Sequence, residues 1–244
     1  MKRLLVAAIT VAALSLALAA CQRTAVPTPT ANSGNIPTTP GQLPDLPQKP
    51  SPQEMASFNG CPPQGDGGDP ALNRLKNRVD DAGAYYPVLF DAVEKLPWPK
   101  GIERKDHDKW SAGDAAQVAK YEGIPISIEG YLADAKQQGP ESTNCHGNTP
   151  EMSDWHVWLV KNPGDDRSGS IVVETTPRVR PSHSSWTLKA LEDFAKNRQR
   201  VRISGWLMLD PEHPDQVGKT RGTIWEIHPI MKIEVQEGGS WKPL

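Results

Sequence analysis

The chain has 244 residues, 37% of them hydrophobic, and carries 27 basic against 29 acidic residues for a formal net charge of −2. So even a balance excludes a general electrostatic pull on nucleic acid or on an anionic membrane. The length suits one domain with its own core and further segments outside it.

Lys2 and Arg3 precede an apolar stretch from Leu4 to Leu18, and Leu18-Ala19-Ala20 leads into Cys21. The stretch is short for a bilayer span and ends in small residues, so residues 1–20 read as a cleavable signal peptide. The Leu-Ala-Ala-Cys junction resembles the lipobox of bacterial lipoproteins. That resemblance implies that Cys21 is lipidated and becomes the mature N-terminus, with palmitate among its acyl chains. Signal cleavage beside an incidental cysteine is the alternative. With Gln22 rather than Asp next, the resemblance implies a lipid-anchored protein of the cell envelope, on the outer membrane where the host has one. Removal of residues 1–20 leaves 25 basic and 29 acidic residues, a net charge of −4.

Residues 21–57 are rich in Pro and Thr. Pro27, Pro29, Pro37, Pro40, Pro44, Pro47, Pro50 and Pro52 exclude both helix and central strand. The segment is expected to be a disordered, semi-extended linker, or else a recognition motif for a proline-binding partner. Cys61 and Cys145 are the two remaining thiols, and in an oxidising compartment an even number suggests a disulfide.

Residues 58–120 read as short helices and loops that pack on the strand-rich remainder of the chain. Asp69-Pro70 suits a helix start, with Leu72, Leu75 and Val79 on one face. Pro87 is expected to start a second helix, with Leu89, Val93 and Leu96 inward and a stop at Pro97. Ser111 with Asp114 resembles a capping box for a third.

Residues 121–244 carry five strand patterns. Ile126, Ile128, Gly130 and Leu132 alternate with polar residues in the first. Residues 155–160 and 171–176 form the second and third, and a helix fits residues 187–197. Val201, Ile203, Gly205, Leu207 and Leu209 alternate in the fourth. The fifth spans residues 223–228 and continues past Pro229 through Met231, Ile233 and Val235. Three strands, a helix and two strands outline a mainly β fold with some α, an OB-fold-like five-stranded barrel preceded by short helices.

In such a barrel the third strand lies between the second and fifth, and alternation decides which side chains share a face. Val157, Leu159, Ile171, Val173, Trp225 and Ile227 are expected inward. His156, Glu174, Glu226 and His228 then share the outer face of three adjacent strands, where OB-folds usually bind ligands. Two His and two Glu could hold a divalent metal or act as general acid and base. Solvated surface positions are the alternative. Arg178, Arg180 and Arg221 cluster near the same strands in sequence and suit an anion pocket, or else internal ion pairs. His146 and His213, on the loops flanking the groove, are weaker candidates.

The runs 121–125 (Tyr-Glu-Gly-Ile-Pro), 141–145 (Glu-Ser-Thr-Asn-Cys), 154–156 (Asp-Trp-His), 174–178 (Glu-Thr-Thr-Pro-Arg) and 221–229 (Arg-Gly-Thr-Ile-Trp-Glu-Ile-His-Pro) resemble an uncharacterised family of exported bacterial proteins. The resemblance covers residues 70–236 and implies no particular activity. Staphylococcal-nuclease-like enzymes share the barrel outline, but their arginine- and aspartate-rich signature is absent. The expected function is a membrane-tethered OB-fold binding module for an anionic ligand or an envelope partner, nucleic acid not being expected. One alternative is a metal-dependent hydrolase, of phosphodiesters, using His156, Glu174, Glu226 and His228; another is a purely structural envelope protein whose polar face is buried by residues 58–120.

Overall fold

The computed structural model of the protein describes residues 36–46 and 48–244. The expected signal peptide of residues 1–20, Cys21, Pro27, Pro29 and Pro47 lie outside the described residues.

The alternation pattern predicts five strands, and five close into a barrel. In chain order they are β2 (Pro125–Gln137), β3 (Trp155–Val160), β4 (Ile171–Thr175), β5 (Arg200–Leu209) and β6 (Trp225–Glu237), with β1 (Tyr86–Val88) and β7 (Ser240–Pro243) as additions. The ring runs β2-β3-β4-β6-β5 and closes through the β2–β5 pairing. All its neighbours are antiparallel except β4 and β6, which are parallel. Parallel strands need a crossover, and the chain makes it through α4 (Leu188–Lys196) and β5. Thr187 caps α4 by accepting from the Ala190 N–H, and Leu191 anchors the helix in the core. The molecule is mainly β, an OB-fold-like barrel with a few short helices.

Val157, Leu159, Ile171, Val173, Trp225 and Ile227 all join one buried apolar cluster with Ile126, Ile128, Val201, Ile203, Leu207 and Leu209. The strict alternation expected of β5 is interrupted. The β5–β6 register shifts on either side of Gly205, and Trp206 and Met208 are buried as well. A Cβ on Gly205 would sit 2.3 Å from the Pro229 carbonyl oxygen, so the two backbones approach there only because the residue is glycine.

Before the barrel, α1 (Pro70–Lys76) is capped by Asp69, which accepts from the Ala71 and Leu72 N–H groups. Ser111 caps α3 (Ala112–Val118) by accepting from the Asp114 N–H. The expected helix at Pro87 is corrected. Residues 86–88 are instead a strand, β1, parallel to β2, and α2 (Phe90–Glu94) begins only after the half-exposed Leu89. Pro disfavours helical backbone in the residue before it, and Tyr86 obeys that restriction.

The described part of the linker differs from its expectation too. Gly41 bridges to Val88 and Glu54 to Arg78, while Leu43 and Leu46 pack against the core. An extended proline-rich chain needs no hydrogen bonds of its own, so a few apolar residues suffice to lay it along the domain.

Candidate functional site

Strand register determines what meets on the outer face of β3, β4 and β6. His156 pairs directly with Glu174, and Val173 pairs with Ile227, which sets Glu174 beside His228. The four residues singled out in the sequence therefore converge. His156 Nε2 lies 2.6 Å from Glu174 Oε1. His228 Nδ1 lies 3.7 Å from both Glu174 Oε2 and Glu226 Oε2.

This face is not solvated. The side chains of Glu174, Glu226 and His228 are 2%, 1% and 0% exposed. What covers them is the segment before the barrel, together with the β2–β3 loop. Lys76, from the last turn of α1, points its ammonium towards Glu141 and Glu212 at 3.6 and 3.8 Å. Asn77 donates to the carbonyls of Pro63 and Thr143, joining α1 to the loop. Cys61 and Cys145 are disulfide-bonded, a link across 84 residues that fastens the same two segments together.

Two residues absent from the sequence candidates complete the cluster. Asp154, two residues before His156, continues the outward alternation of β3 by one step and reaches His228 Nε2 at 3.8 Å. That signal was present in the sequence, one position beyond the strand. Lys76 had no such signal, because nothing local tells which strand face a helix will cover.

Charge within the cluster divides into two parts. Arg221 donates to Asp210 at 3.0 Å and to Glu226 at 2.6 Å, all three buried. Burial pushes the Glu226 carboxyl up, but Arg221 outweighs it and holds the group below the usual carboxylate range. Burial likewise opposes the Asp210 charge, yet His213 and Arg221 keep it far below its ordinary value. The other part has no such cations. Among the described residues no Lys or Arg lies within 4.0 Å of Asp154 or Glu174. Burial raises Asp154 and raises Glu174 strongly. Burial also drives His156 down to about 4, so its ring is neutral near pH 7 and braces Glu174 without adding charge. His228 is raised: burial works against its charge, and Glu174 and Glu226 overcome it.

The three arginines expected as an anion pocket do not meet. Arg178 donates to the Cys61 and Pro62 carbonyls. Arg180 donates to the carbonyls of Thr175, Pro150 and Ser153. Arg221 is engaged by carboxylates. Each is buried and meets a separate set of partners within the chain, although Arg178 Nε and Nη1 and Arg221 Nε are left without one. His146 lies 3.3 Å from Asp66 on the surface, and His213 pairs with Asp210 at 2.6 Å.

A cleft of about 260 Å³ opens elsewhere, beside the start of β3 and the β4–α4 crossover. Trp155, Trp186, His183, Arg180 and Glu151 line it among prolines. His183 stacks on Trp186 with ring centroids 3.8 Å apart, and Arg180 lies over the Trp155 ring. The buried Trp186 indole N–H has no partner.

No protein-family model matches the chain. The rhamnogalacturonate lyase of Dickeya dadantii (strain 3937) is similar to it, 24% identical over 179 residues, a match that covers 57% of this chain and 30% of the lyase. The match thus spans less than a third of that protein's own length.

Proposed function

We propose that this chain is an exported lipoprotein, tethered through Cys21, whose OB-fold-like barrel serves as a binding module in the cell envelope. The observation that carries this reading is the closed roof over the histidine and carboxylate face. With Glu174, Glu226 and His228 at most 2% exposed, no substrate reaches them. Catalytic metal sites keep an open coordination position, and closed ones are structural. The phosphodiesterase alternative therefore ranks second.

The ring-lined cleft is the better place for a ligand. His183, stacked on the buried Trp186, presents flat ring surface to the cleft. Arg180 directs its terminal donors to carbonyls, yet places positive charge beside the cleft, which the acidic Glu151 also lines. Flat faces with polar edges and one negative group describe an acidic sugar residue. The similarity to a protein named for a lyase acting on rhamnogalacturonate supports the same ligand class.

The test has two arms. Calorimetric titration of the full-length protein with oligogalacturonates should show saturable binding, weakened about tenfold by His183→Ala, a difference of about 1.4 kcal/mol. Absence of binding to these and to peptidoglycan fragments refutes the saccharide assignment. Separately, Cys21→Ser should release the protein from the membrane fraction. Retention with unchanged mobility would show that the anchor is something else.

A further inference from the structure

The binding reading leaves the most unusual feature of the interior without a role. Asp154, Glu174 and His228 come from three different stretches of chain, and all are buried. One donor atom from each lies within 4.8 Å of the other two. Both oxygens of Asp154, the Oε2 of Glu174 and both ring nitrogens of His228 lack hydrogen-bond partners. The neighbouring Glu226 Oε2, also buried and unpartnered, faces the same histidine at 3.7 Å.

Buried polar atoms in native proteins are almost always paired, and five orphaned atoms on three touching residues are far outside that pattern. Two carboxylates out of water are costly unless something offsets their charge, and here no Lys or Arg among the described residues lies within 4.0 Å of either, while His228 stands beyond hydrogen-bond distance at 3.7–3.8 Å. Arg221 does not serve, since it is held by Asp210 and Glu226. Lys76 acts on both carboxyls only from beyond 4.0 Å, because its ammonium lies nearer Glu141 and Glu212. Two carboxyl groups and one imidazole with unpaired ligand atoms turned towards one another are what a dication satisfies.

We propose that Asp154, Glu174 and His228 together bind one divalent first-row metal ion, zinc or manganese, as a structural centre. Imidazole nitrogen with carboxylate oxygen suits these ions. Ligands at about 2.0–2.2 Å from zinc require only a small inward rotation of side chains already this close. His156, 2.6 Å from Glu174 Oε1, orients that carboxylate and leaves Oε2 for the ion. The centre joins the entrance of β3 to β4 and β6 directly beneath the disulfide-tied roof. It is independent of what the outer cleft binds, and failure of the saccharide titration leaves it untouched.

The full-length protein, produced with both metals in the medium and purified without chelator, should carry about one ion per chain by elemental analysis. Stripping with EDTA should lower the melting temperature, and adding back the same metal should restore it. Asp154→Asn and Glu174→Gln should each reduce metal content about tenfold or more, whereas His213→Gln, beside the Arg221 cluster, should retain it. Less than about a tenth of an equivalent, with a melting temperature indifferent to chelator and to added metal, overturns the proposal. So does an ion kept equally by Asp154→Asn and Glu174→Gln. Should those variants not fold, X-ray absorption of the wild-type protein decides. An oxygen and nitrogen shell with one imidazole supports the site, and a sulfur-containing or many-histidine shell overturns it.

Discussion

Replacing both Cys61 and Cys145 with serine removes the covalent tie between the segment before α1 and the β2–β3 loop. The bond spans 84 residues of chain. In the chain-entropy description a loop of that length restricts the unfolded state by about 15 cal/mol/K, or about 4.6 kcal/mol at 25 °C. The folded state should change little, because the same two segments stay joined by hydrogen bonds. Asn77 still donates to Pro63 and Thr143, and the Asp66 N–H still donates to the Ser142 carbonyl. The loss should therefore appear as easier unfolding of an unaltered native structure. For a slope of about 2 kcal/mol per molar urea, the midpoint should fall by about 2 M. Urea titration followed by tryptophan fluorescence measures the shift, and near-UV circular dichroism in the absence of urea checks the native packing. A loss below about 1 kcal/mol would refute the entropic account. A changed near-UV spectrum would show that the bond, not the hydrogen bonds, holds the roof.

Arg221→Met should destabilise by about 3–5 kcal/mol, since it strands Asp210 and Glu226 as buried charges, and a urea midpoint within error of wild type would contradict the ion-pair geometry. Asp210 is opposed by burial but held well below its ordinary value by His213 and Arg221, so its contribution is complete above the unfolded carboxylate value of about 4 and disappears as pH falls towards the folded one. His213 has the opposite sign. Its hydrogen bond to Asp210 raises it despite burial, so its contribution is complete below about pH 6.5 and lost as pH rises through the folded value. Melting temperatures from pH 2 to 9 on wild type and Asp210→Asn test both, and parallel profiles would exclude the pair as a source of pH dependence. Gly205→Ala puts a methyl 2.3 Å from the Pro229 carbonyl and should cost about 1–3 kcal/mol or more, whereas a neutral effect would show that β5 and β6 can part there.

How much of this molecule is legible in its sequence depends on the range of the forces involved. Period-two alternation is local, and by itself it places Val157, Val173 and Ile227 inside and His156, Glu174 and His228 outside. The order of strands and helix is enough to outline the barrel, because few topologies accept that order. The same alternation carried one step further reaches Asp154. What the sequence leaves open is everything dependent on a second layer. A strand face marked polar by its residues reads equally as solvated or as covered, and only the docking of α1 and the disulfide-tied loop decides that it is covered. Burial then changes the meaning of each residue on it. The arginines become partners of carbonyls and carboxylates within the chain, and Lys76 becomes a neighbour of acids more than sixty positions away. Local pattern selects the side of a sheet on which a residue stands. Whether water or protein lies above it is settled by contacts between distant segments, and their ordering cost is offset only when the whole domain closes.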